Sequence, residues 1–66
     1  MPRNDRHTYR DELNRAIGNI DWCMEHLRRM AEAYREHHEE VSETCELFAV
    51  GLYQIQEGIA RLKEMI

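Results

Sequence analysis

LNRAIGNIDWCMEHLRRMAEAY, residues 13–34, and VSETCELFAVGLYQIQEGIARLKEMI, residues 41–66, carry nearly all the apolar content of this 66-residue chain in one helical row. Leu13, Ile17, Ile20, Met24, Leu27, Ala31 and Tyr34 follow at alternating three- and four-residue steps. After a weak step at His38 the row resumes through Val41, Cys45, Phe48, Leu52, Ile55, Ile59, Leu62 and Ile66. That spacing is the signature of an amphipathic helix whose stripe packs on another helix. It announces an architecture and carries almost no chemistry.

With Leu13 lettered d of a heptad, the a row is Ile17, Met24, Ala31, His38, Cys45, Leu52, Ile59 and Ile66. The d row is Leu13, Ile20, Leu27, Tyr34, Val41, Phe48, Ile55 and Leu62, and the g row includes Ala16, Cys23, Met30, Thr44, Gly51 and Gly58. Small and apolar g residues widen the stripe beyond a two-stranded seam toward the broader face of a bundle. Gly51 and Gly58 each cost about 1 kcal/mol relative to alanine inside a helix, and close approach of another backbone is the simplest compensation.

The spacing predicts one helix over about Thr8–Glu36 and a second over about Ser42–Met65, with residues 1–7 a flexible tail and a turn near residues 37–41. Thr8 with Asp11 and Glu12 resembles a capping arrangement, Asp5 competes with it, and Ser42 or Thr44 would cap the second helix. One continuous rod in a coiled coil is the alternative, because no Gly or Pro lies between Gly18 and Gly51. Charge order favours the hairpin. Arg28, Arg29, Arg35, His37 and His38 precede the midpoint, and Glu39, Glu40, Glu43 and Glu46 follow it, as a helix C-terminus meeting a helix N-terminus requires. A turn centred near residue 39 makes facing residue numbers sum to about 78, setting Gly58 across from Ile20 and Gly51 across from Leu27.

A chain this short buries only about 60% of the surface its unfolded form exposes, so its own core is thin and self-association is the ordinary remedy. The expected fold is therefore all-α: one hairpin domain that dimerises into an antiparallel four-helix bundle. Its oligomer core would comprise Leu13, Ile17, Ile20, Met24, Leu27, Phe48, Gly51, Leu52, Ile55, Gly58, Ile59 and Leu62. Two cysteines are too few for a disulfide framework, and no leader pattern opens the chain, so a reducing cytoplasmic location is expected, with Cys23 and Cys45 as free, buried thiols. The most apolar run, Leu47 to Val50 with Leu52, is far shorter than the roughly 20 residues that span a bilayer, so no membrane partner is expected.

Chemistry-bearing patterns are weak. Cys23-x-x-His26, His37-His38 and Cys45 have metal-ligand types without a second compact pair, and no glutamate has histidine three residues later as a di-iron bundle requires. No catalytic set or glycine-rich phosphate loop is present, so neither enzyme activity nor a cofactor is expected. Residues 1–35 hold seven arginines against six acids, and residues 36–66 hold two basic residues against seven acids. Arg3, Arg6, Arg10 and Arg15 with Arg28, Arg29 and Arg35 would suit phosphates, which makes a nucleic-acid-associated regulator the alternative function. The interspersed acids argue against it. Apolar residues off the seam point instead to protein recognition: Trp22, Leu47, Val50 and Tyr53 are the candidate partner-binding residues. The functional expectation is a non-catalytic adaptor, regulator or inhibitor that binds a second copy of itself and another protein.

Overall fold

The computed structural model describes residues 5–66 and consists of two α-helices, α1 (Asp5–Tyr34) and α2 (Glu39–Met65), packed against each other as a hairpin. The chain reverses over residues 35–38, which replaces the continuous-rod alternative, and its principal extents are 55 × 15 × 12 Å. Met1 to Asn4, with the side chains of Asp5 and Arg6, lie outside the described residues, and with them Arg3 and most of the expected tail.

Element boundaries differ from the sequence reading in ways that backbone hydrogen bonding explains. α1 includes residues 5–7, so Thr8 lies inside the helix and is not its cap. Apolar periodicity marks the side of a helix that packs, whereas polar residues extend it wherever each new residue adds a backbone bond. At the other end the carbonyl of Tyr34 accepts from the amides of His37 (3.1 Å) and His38 (2.8 Å), which closes the turn ahead of the expected 37–41. α2 then starts at once, with Glu39 and Glu40 in its first turn at the positive end of its dipole. Ser42 and Thr44 are therefore interior residues and do not cap α2. His38 stands at the cap position without a side-chain cap bond, and it is exposed, so the a row is broken there.

The a rows of the two helices face each other along the middle of the contact, and Ala31 and Cys45 are its buried apolar residues. Ile17, Met24, Leu52 and Ile59 are half-buried along the same line. Polar bonds fix the register on the e side. Gln56 Nε2 donates to the Ile17 carbonyl (2.9 Å) and to Asp21 Oδ1 (2.8 Å), and Lys63 Nζ donates to Asn14 Oδ1 (2.8 Å). Nearer the turn, the buried Ser42 hydroxyl donates to the Ala31 carbonyl at 2.7 Å. Helix-terminal carbonyls need partners from outside the helix, and Ser42 supplies one from the opposite helix. Residue numbers across these bonds sum to 73–77, a slightly tighter turn than the 78 expected.

Gly51 and Gly58 do not touch α1 closely: a Cβ built at either meets nothing within 4 Å. The compensation expected from a neighbouring backbone is absent within the hairpin. Cys23, expected to be buried, is exposed, while Cys45 is buried, and both are free thiols.

Ser42→Ala should lower unfolding stability by about 1–2 kcal/mol, because a buried carbonyl loses its only inter-helix donor. Urea titration at fixed protein concentration checks this, and Glu43→Ala, an exposed neighbour, should change stability little.

Candidate interaction surfaces

A line contact between two helices leaves a flank on either side, and here the flanks differ in kind. On the e side the polar residues Asn14, Asp21, Gln56 and Lys63 bridge the helices. On the d side nothing polar closes the contact among the described residues. Phe48 is 61% exposed and Ile55 56% exposed, Leu62 and Met30 are exposed, and Leu13, Ile20 and Leu27 of α1 are half-buried beside them. Two adjoining grooves of about 350 and 410 Å³ run along this flank, sharing Leu27 and Phe48. Gly51 lies in the first, so the open space over its α-carbon belongs to this surface.

The opposite flank carries a groove of about 490 Å³ with an apolar floor of Met24, Ala49 and Val50. Asp21, Glu25, Arg28 and Tyr53 form its rim. Glu25 accepts from Arg28 at 2.9 Å and lies 3.4 Å from Arg29. The Arg28 hydrogen bond, then its charge, and then Arg29 hold the Glu25 carboxyl below its ordinary value. Its contribution to folding is present above the unfolded-state pKa and is lost as pH falls through the lower folded value. Tyr53 behaves oppositely. A hydrogen bond to Glu57, and then the charge of that carboxylate, push its phenol above the usual value, so this contribution is present below the unfolded-state pKa and is lost as pH rises past the folded one.

The four candidate partner-binding residues do not share one surface. Leu47 lines the d-side groove with Phe48 and Ile55, whereas Val50 and Tyr53 line the opposite groove. Trp22 is 62% exposed on α1, tilted against His26 with ring centroids 6.1 Å apart, and lines neither groove. Each three-residue step falls about 60° short of a full turn, so Leu47, Val50 and Tyr53 drift about a third of a turn around α2, and the α1 contact divides them. Gln56, not singled out in the sequence, and Ser42, expected only as a cap, prove central to the contact. Their heptad spacing beside the a row was the available signal.

The arginines expected to meet phosphates sit among acids. Arg15, Arg28, Arg29 and Arg35 each lie within 4 Å of a glutamate one turn earlier, at 3.7, 2.9, 3.4 and 3.0 Å. These exposed pairs add little stability, yet they dilute the basic character of the helix face. Among the described residues no group of three or more His, Cys, Asp or Glu side chains is placed to hold a metal ion. No described helix is long and apolar enough to cross a membrane.

No family model, curated protein or solved structure matches this chain.

Replacing Glu57 with Gln should move the Tyr53 titration midpoint down toward the ordinary phenol value, since the charged acceptor is removed. Ring-carbon chemical shifts followed against pH check this, and an unmoved midpoint would refute the assigned cause.

Proposed function

We propose that this chain is a non-catalytic, self-associating interaction module: two hairpins dimerise through their d-side flanks into a four-helix bundle, whose outer surface serves another protein. The observation that carries the reading is the apolar flank of exposed Phe48, Ile55 and Leu62 with half-buried Leu27, beside a hairpin contact that among the described residues buries only Ala31, Cys45 and Ser42. A folded monomer of 8.0 kDa is expected to expose about 4,500 Å². This hairpin exposes 5526 Å². The excess of roughly 1,000 Å² is comparable to the ~800 Å² that each partner covers in a stable interface.

Stacking a second copy on the d side would enclose the d rows of both helices as the interior of a bundle. It would also cover the glycine positions, which have no compensating contact in the hairpin alone. The opposite groove, with Val50 and Tyr53, would stay outside and remain free for a further protein. An aromatic edge over an apolar floor with a charged rim is the composition of an interface centre surrounded by polar residues.

Phe48→Glu should convert the dimer to monomer, weakening association at least about a hundredfold, because each interface would bury two uncompensated carboxylates. Tyr53→Ala should leave association within about twofold. Sedimentation equilibrium reads both. A wild-type chain that stays monomeric and fully helical at high concentration would overturn the proposal.

A further inference from the structure

We infer that the second copy docks with its turn at the opposite end, about a two-fold axis perpendicular to the helices that passes Cys23 of α1 and Gly51 of α2. This rests on the self-association reading above and adds the orientation to it.

Two observations carry the orientation. The first is how charge is distributed along the hairpin. Residues 24–51, which form its turn half, hold seven acids and three arginines, a net charge of −4. The remaining residues hold six acids and six basic residues and are neutral. If both turns lay at the same end, the whole net charge of each copy would face that of the other. With the turns at opposite ends, each acidic half lies against a neutral half. Like charges brought together across an interface are penalised, so the second arrangement is preferred.

The second observation is register. In an antiparallel pairing of α2 with its copy about Gly51, Phe48 comes beside Ile55 and Thr44 beside Gly58, while Glu40 at one end comes level with Arg61 at the other. For α1 paired with its copy about Cys23, Ile20 comes beside Leu27 and Ala16 beside Met30. Each pairing is apolar along its centre. A single axis can serve both only if Cys23 and Gly51 lie at one level of the hairpin. They do: their numbers sum to 74, inside the 73–77 that the inter-helix hydrogen bonds define. Cys23 is exposed, and the α-carbon of Gly51 is open to the same flank, so neither position is filled by the chain's own side chains.

The arrangement with both turns together places different residues in contact. There α1 lies beside α2 of the copy, Cys23 meets Gly51, and Arg61 comes level with Glu12 in place of Glu40. Cross-linking distinguishes the two. In a Cys45→Ala background, a short bismaleimide should join Cys23 to Cys23 of the second copy in high yield. A dimer by light scattering without that product, but with a covalent heterodimer when the Cys45→Ala chain is mixed with a Cys23→Ala, Cys45→Ala, Gly51→Cys chain, would overturn the orientation and leave self-association standing. A monomer under the same conditions would overturn both.

Charge exchange gives an independent reading. Glu40→Arg and Arg61→Glu should each weaken the dimer by about five- to tenfold, and the double exchange should restore it. Rescue of Arg61→Glu by Glu12→Arg instead would favour the turns-together arrangement and refute this one.

Discussion

Two cylinders touch along a line, and that geometric fact limits what a helical hairpin can shelter from water. In this chain the line is the pair of a rows. The residues it buries, Ala31, Ser42 and Cys45, are small and lie at the turn end, while farther from the turn Ile17 and Ile59 are only half-covered. Small side chains there allow the helices to approach, and they allow the Ser42 hydroxyl to reach a carbonyl of α1 at 2.7 Å. The closest part of the contact is thus stabilised by a buried hydrogen bond more than by apolar volume. A side chain in the d row lies roughly a sixth of a turn around from this line, and a third helix is needed to cover it.

What separates the flanks is polarity at heptad spacing. Ser42, Gln56 and Lys63 recur on the e side of α2, with Ala49 completing the row, and each polar member donates to α1. Those bonds fix how far α2 is rotated about its own axis. A small rotation would bring Phe48 and Ile55 into the seam, but it would detach Gln56 from both the Ile17 carbonyl and Asp21. The bond to the half-buried Ile17 carbonyl is costly to leave unmade, and this favours the rotation that keeps the d row outward. The exposure of Phe48 and Ile55 is thus compatible with the register that these bonds define.

The hairpin was legible because periodicity and charge order report on separate terms: the stripe shows that two helices pack, and the basic-then-acidic sequence shows where one ends and the next begins. Boundaries were less legible. A helix end is set by which carbonyl captures which amide, as Tyr34 does with His37 and His38, and no side-chain pattern records that capture. Thr8, Ser42 and Thr44 have the chemistry of caps but stand inside helices, where Thr44 bonds back to the Glu40 carbonyl at 2.8 Å. The division of Leu47 from Val50 and Tyr53 was also hidden in the sequence. Three-residue steps look like one face on a short helix, and only the position of α1 decides on which side each residue falls.

Composition and geometry together explain why one small chain can carry two unlike surfaces. The d flank is apolar along its length, and such a face would suit an identical partner, because a two-fold interface must match itself. The e flank is sealed by side-chain amides, a lysine and carboxylates, with the Arg28–Glu25–Arg29 group on one helix and Tyr53–Glu57 on the other. Such a surface presents charge in a fixed pattern over a modest apolar floor, and fixed charge discriminates among partners more than it adds affinity. Assembly through one flank would leave that pattern intact and repeated on opposite sides of the bundle. Helices too thin to make a core alone would thereby gain an interior from their own copy while keeping the patterned flank for something else.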